Sequence, residues 1–462
     1  MNYSTRRSVQ HQRRRLAHYA QSCDSFSYFN LLTSDALLEE VEAHLPDHRE
    51  RRYPPTETLS MFLAQAMSSD RSCQNIVNQA AVDRVVGGLP KVSTRTGGYC
   101  RARKRLPTPM VKTLTRKLGR STDASSSTKD RWNGRRVYLV DGTSVTMADT
   151  PENQASFPQQ GGQKPGLGFP ICRVVGITSL ATGALLDAAI GRFNGKGGDE
   201  QTLLRQLTHT LKSGDVVIGD AFFPTWFFIL EMQAKGVDIV MEQQGARKRV
   251  TDFRKGTKLG TRDHLITLPK PKIKPDWLTQ REYDKAPESL IVREFKAGGK
   301  IMVTTMSCPQ SAPKSELKKL YKLRWNVELD LRDIKQTLGM NILSCKSPEM
   351  VIKEIWVYLL AYNLIRLLML QSALLADIPV RSLSFKHSLQ IWLAITQKAM
   401  IYSEEQLNAL LTIIAEQQVG KRPGRVEPRS IKRRPKAYPL LMVPRNRARQ
   451  SILEHGHAAK LK

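Results

Sequence analysis

Two short apolar runs, VYLV at 137–140 and VVIG at 216–219, each end on an aspartate, Asp141 and Asp220. Four-residue runs of this kind suit short buried strands. An aspartate just beyond such a strand is held rigidly yet sits at the solvent edge. Pairing the two strands brings both carboxylates together. The alternative for either residue alone is a helix cap or a turn former. Around these runs the pattern predicts strands at 136–140, 171–179 and 183–192, a helix at 200–211 and a strand at 216–219. A helix at 226–234 and a strand at 237–241 follow. Asp149, Asp187, Asp199 and Asp215 lie nearby as competitors; Asp149 precedes TPEN and reads as a turn or cap, and Asp215 comes before its strand rather than after it.

The remaining chain divides by composition. Residues 1–125 read as a helical N-terminal region, with helices opening at Ser34 and spanning 58–68 and 73–86. The piece STDASSSTKD at 121–130 has linker composition. A first core segment covers 126–244, a β-rich insertion 245–307, and a second core segment with supporting helices 308–400. The insertion has strand-like runs at 264–268, 289–295 and 300–306, separated by Lys- and Pro-rich pieces. Helices are expected at 313–338, 350–376 and 384–399, and residues 401–462 form a basic C-terminal region.

On a helical wheel at about 100° per residue, Tyr321, Arg324, Glu328 and Lys335 fall within an arc of about 60°. Leu320, Leu323, Val327, Leu331, Ile334 and Leu338 gather on the adjoining arc. One carboxylate thus sits among two cations and a phenol, beside a face to bury. Guanidinium and ammonium groups suit phosphate oxygens, and converging carboxylates suit the divalent ions of phosphoryl chemistry. The plainer alternative is an amphipathic helix with Arg324 and Glu328 as an i,i+4 pair.

Charge narrows the partner. Lys and Arg total 72 against 42 Asp and Glu, a formal charge of +30 over 462 residues, which calls for a polyanion such as nucleic acid. A basic run at 93–106 offers Arg101, Arg103, Lys104 and Arg105 to phosphates, with a solvated basic face as the alternative. Lys432, Arg433 and Arg434 do the same near the C-terminus. Membrane spanning is not expected, because Asn363 and Arg366 interrupt the most apolar run. The six cysteines are dispersed without zinc-ligand spacing and read as reduced thiols of a cytoplasmic protein.

The spacing Tyr-x2-Arg-x3-Glu-x6-Lys, met by Tyr321, Arg324, Glu328 and Lys335, resembles the YREK motif of bacterial insertion-sequence DDE transposases. The blocks DGTSVTMADTPENQASFPQ and VVIGDAFFPTWFFI, the segment AYNLIR and the tail VEPRSIKRRPKAYPLL are similar to that family as well. The resemblance spans most of residues 130–440. It implies a cut-and-paste transposase with a ribonuclease-H-like α/β core, an arrangement compatible with the element order above. Asp141, Asp220 and Glu328 are then expected to bind two Mg²⁺ ions (Mn²⁺ substituting), and Tyr321, Arg324 and Lys335 to hold phosphates. The implied partners are double-stranded transposon ends and target DNA, engaged by a homodimer. Trp277, the sole tryptophan of the insertion, is a candidate to hold a flipped base, with plain packing as the alternative; Trp325 is expected to be structural. Rival readings are a DNA-binding relic without catalysis and a metal-dependent nuclease that does not join.

Overall fold

The computed structural model describes residue 43 and residues 53–88, 90–195, 197–396, 404–419 and 443–455. Its centre is one nine-stranded sheet in the order β3-β2-β1-β4-β5-β9-β8-β7-β6. The strands are β1 (Val137–Thr146), β2 (Ile171–Ser179), β3 (Leu185–Arg192), β4 (Val216–Gly219), β5 (Asp238–Glu242), β6 (Thr257–Gly260), β7 (Asp263–Pro269), β8 (Ser289–Ala297) and β9 (Lys300–Thr304). β1, β4 and β5 run parallel, while β2 pairs antiparallel with both β1 and β3. The expected α/β class is borne out. β6 escaped prediction because TKLG offers no run of apolar residues.

Three expectations of layout change. First, the insertion continues the core sheet: β9 pairs antiparallel with β5, and β8, β7 and β6 follow outward. Second, 121–130 is no free linker. The Thr108–Ala124 helix ends inside it, and Asp123 accepts a hydrogen bond from the Tyr138 hydroxyl at 3.0 Å. Third, the helices of the N-terminal region share the main core, where Leu59, Phe62, Leu114 and Leu118 pack with Val174, Leu185, Trp356 and Leu360. The helix opening expected at Ser34 lies outside the described residues.

The Pro348–Leu375 helix runs through this core. It is apolar nearly all round, as a helix surrounded by protein must be. Its length and composition would allow a membrane span, yet 83% of its most apolar window is buried inside the protein. Its polar residues have built partners. Asn363 donates to Thr115 O and Leu185 O and accepts from Leu185 N. The Lys353 ammonium donates to the carbonyls of Arg103 and Lys104, at the end of the Gly97–Arg105 helix, where unpaired carbonyls favour a cation.

The helix expected over 313–338 is broken. Lys314–Lys322 and Trp325–Arg332 are separate helices, joined by a tightened stretch in which Leu323, Arg324, Asn326 and Val327 bond back three residues. Residues Asp333–Thr337 then widen into a π-helical turn, with Leu338 N reaching Asp333 O at 2.9 Å. Tightening and widening change the rotation per residue. Leu320, Val327, Ile334 and Leu338 are therefore buried as expected, but Leu323 is turned outward and Trp325 is 57% exposed rather than packed.

Candidate active site

Strand register brings the two aspartates together. In the parallel pair β1–β4, Leu139 lies opposite Ile218, so Asp141 and Asp220, each two residues on, are level. Side chains alternate along a strand. Asp141 therefore shares the face of Val137 and Leu139, and Asp220 continues the side of Val216 and Ile218. That face packs against Leu317, Leu320 and Val327 of the two helices flanking Arg324. β1 runs on to Thr146 beside β2, with Asp141 opposite Gly176, whereas β4 stops at Gly219. Asp141 is thus inside a longer strand than expected, at the point where its parallel neighbour ends. Asp220 opens a tight turn, its Oδ1 accepting from Phe222 N at 2.8 Å.

Glu328 joins them through Arg324. The Arg324 Nη2 donates to Glu328 Oε1 at 2.7 Å, and its Nη1 lies 4.0 Å from Asp141 Oδ2. The tightened turn at Arg324 aims its guanidinium between the sheet and the Glu328 helix. Burial pushes the Asp141 carboxyl up to about 6, with the charges of Asp220 and Glu200 adding to the rise and the Gly142 N–H and Arg324 opposing it. Tyr321 is beside Arg324; burial pushes its phenol up to about 12, and its hydroxyl has no hydrogen-bond partner. Lys335 sits in the π-helical turn, where burial lowers its pKa, and it makes no ion pair with the three acids. The structure therefore groups Asp141, Asp220, Tyr321, Arg324 and Glu328, and shows no contact that brings Lys335 into the group.

One acid of this cleft was missed by sequence reasoning. Glu200 begins the Glu200–Arg205 helix and lies against Gly142, where an added Cβ would fall 2.5 Å from its Oε1. Arg173 of β2 pairs with it at 3.6 Å. Only the glycine next to Asp141 hints at so close an approach. The other nearby acids have local partners: Asp199 caps the Glu200 helix, Asp187 lies buried within β3 and pairs with Arg116, and Asp215 accepts from Lys212 N. Asp149 accepts from the Gln154 side chain.

The donors fit a hard divalent cation: they are carboxylates only, and their like charges crowd one cleft. Among the described residues no group of three or more acids, histidines or cysteines is placed so as to hold a metal ion as it stands. Arg324 bridges Asp141 and Glu328 in this arrangement.

Two sets of candidates are placed elsewhere. In the Gly97–Arg105 helix, Arg101, Lys104 and Arg105 are exposed, but Arg103 is a correction. Tyr99, Ala102 and Arg103 form the buried face, and the Arg103 guanidinium lies over Phe62 and Tyr99 while donating to Gln65 and Cys73. At about 100° per residue, cations at positions 101, 103, 104 and 105 are spread round the whole helix and cannot all face one side. Trp277 has packing partners, with Phe227 edge-on and the Arg205 guanidinium 4.1 Å from its ring centre. Lys432, Arg433 and Arg434 lie outside the described residues.

Known proteins resemble this chain over most of its length. A family model described as "Transposase DDE domain" matches residues 132–364. The chain is 27% identical over 403 residues to "Transposase InsG for insertion sequence element IS4" of Escherichia coli K12, covering 85% of this chain and 88% of that protein. It is 24% identical over 136 residues to "Putative transposase InsZ" of the same organism, covering 29% of this chain and 44% of that one.

Proposed function

Because the chain belongs to the transposase DDE domain family, we propose that it cuts DNA at the ends of a mobile element and joins those ends to target DNA. The meeting of Asp141, Asp220 and Glu328 around Arg324 carries this reading. On it, the core is ribonuclease-H-like and the three acids hold Mg²⁺, or Mn²⁺ in its place. The bound ions supply Lewis-acid stabilisation of the attacking and leaving oxygens of an in-line displacement.

The protein's own groups do the positioning. Arg324 exchanges its bond to Glu328 for phosphate oxygens, which a guanidinium grips with two parallel donors. The unpartnered Tyr321 hydroxyl remains protonated and donates to the same phosphate. Lys335, in the π-helical turn that follows the Glu328 helix, holds a neighbouring phosphate as a point charge. Arg101, Lys104 and Arg105 contact the flanking duplex, as do the C-terminal cations Lys432, Arg433 and Arg434. The protein acts in the cytoplasm, as a homodimer that pairs two ends.

The test uses linear DNA bearing the element's own ends. In Mg²⁺ the wild type nicks at the ends, and added target DNA receives them. Glu328→Gln binds the same ends with unchanged affinity and cuts at least ~100-fold more slowly, the scale expected for losing one transition-state stabilising group. Equal behaviour of the two proteins favours a binding-only role. Cutting without joining favours a nuclease.

A further inference from the structure

The helix that presents Glu328 spans only Trp325–Arg332, tightened before its start and widened after its end. Its own hydrogen bonds cannot fix how it is rotated about its axis. Asp330, two residues beyond Glu328, lies about 200° around that axis, on the side away from the cleft, and is completely buried.

Two guanidinium groups grip one oxygen of Asp330. Arg366 Nη2 donates to its Oδ1 at 2.7 Å and Arg381 Nη1 at 2.6 Å. Arg381 also donates to the carbonyls of Ser179 and Leu180, at the end of β2, at 2.6 and 2.8 Å. Arg366 donates to the Tyr362 hydroxyl, which itself donates to Gly183 O in the β2–β3 turn. The Arg366 guanidinium is further fixed over the rings of Tyr362 and Phe385.

These anchors share a frame with the first aspartate. β2 is paired with β1 from Tyr138–Ser179 through Asp141–Gly176 and on to Thr146–Ile171. A grip on Ser179 and Leu180 is therefore referred to Asp141 through two hydrogen-bonded strands. We infer that Asp330, held by Arg366 and Arg381, is a positioning residue that sets the rotation of the Glu328 helix against the strand of Asp141. This rests on the reading of Asp141, Asp220 and Glu328 as the metal-holding acids. Asp330 itself faces away from the reacting groups.

The test compares full-length Asp330→Asn and Arg381→Lys with wild type and Glu328→Gln. It measures affinity for end DNA, the single-turnover cleavage rate, and Mn²⁺ binding by electron paramagnetic resonance without DNA. Asp330→Asn keeps the shape of the side chain but not its charge. It is expected to retain a native circular dichroism spectrum and wild-type DNA affinity, while cleavage falls ~100-fold, as for a misplaced catalytic group. Mn²⁺ binding weakens ~10-fold or more, as for loss of a group that orients ligands. Arg381→Lys shows the same split between binding and cleavage, but smaller. Wild-type cleavage and Mn²⁺ binding in both variants overturn the proposal, and so does an unfolded Asp330→Asn beside an unchanged Arg381→Lys. If Glu328→Gln itself cuts and binds Mn²⁺ like wild type, the reading of the three acids fails, and this inference with it.

Discussion

Ionised Asp141 is held in a setting that disfavours its charge, because burial and the nearby carboxylates of Asp220 and Glu200 push its pKa up to about 6. The unfolded value is about 3.9. A folded pKa above the unfolded one means stability present at low pH and lost as pH rises through about 6. Asp141→Asn should therefore stabilise the metal-free protein at pH 7.5 by on the order of 1–3 kcal/mol while ending cleavage. Thermal melts from pH 4 to 8 check this: the advantage of the variant should vanish near pH 4, and a variant no more stable at pH 7.5 would count against it. On the proposed reading, in which Asp141 is a metal ligand, wild-type cleavage should rise as pH climbs through the same range, since Asp141 must then lose its proton. The proximity of Asp141, Arg324 and Glu328 was legible because each lies within a short motif. Glu200 was not, since its place depends on the backbone of Gly142 coming close across the fold. Arg103 was misread because a run of cations hides which of them the helix turns inward.

At the level of elements, the short buried strands at 171–179 and 216–219 and the helices at 73–86 and 226–234 were readable to the residue. Each has apolar residues bounded by polar or turn-forming ones. The breaks in the Glu328 helix were not readable, since no proline or glycine marks them. Their cause is tertiary: the Asp330 grip and the burial of Ile334 and Leu338 fix one end, while Leu317 and Leu320 fix the other. Packing between elements also decides where small residues are required. Gly119 crosses β3 so closely that an added Cβ would lie 2.0 Å from Leu185 O and 3.0 Å from the Asn363 side-chain nitrogen. Gly119→Ala gains helix propensity but must force the helix off the strand. We expect a net destabilisation of about 1–3 kcal/mol, read as a lowered melting temperature; an unchanged or raised one would show that the helix shifts freely.

For the whole molecule, a charge of +30 makes DNA affinity a matter of counterion release. Binding to end DNA should weaken by roughly 10³-fold or more between ~50 and ~200 mM salt, the fall expected when about six phosphates are neutralised. Titrations at several salt concentrations measure the slope, and a nearly flat dependence would mean that the cations do not meet phosphates. The same scale explains why the domain layout was hard to foresee: composition marks 245–307 as different, but only long-range strand pairing shows that it finishes the sheet. Because β9 seals the flank of β5, that stretch is no detachable accessory. The excursion at 270–288, between β7 and β8, lies outside the strand ladder. Trimming back past β9 strips a row of backbone donors and acceptors bare, and a naked rim of that kind recruits other chains into aggregates.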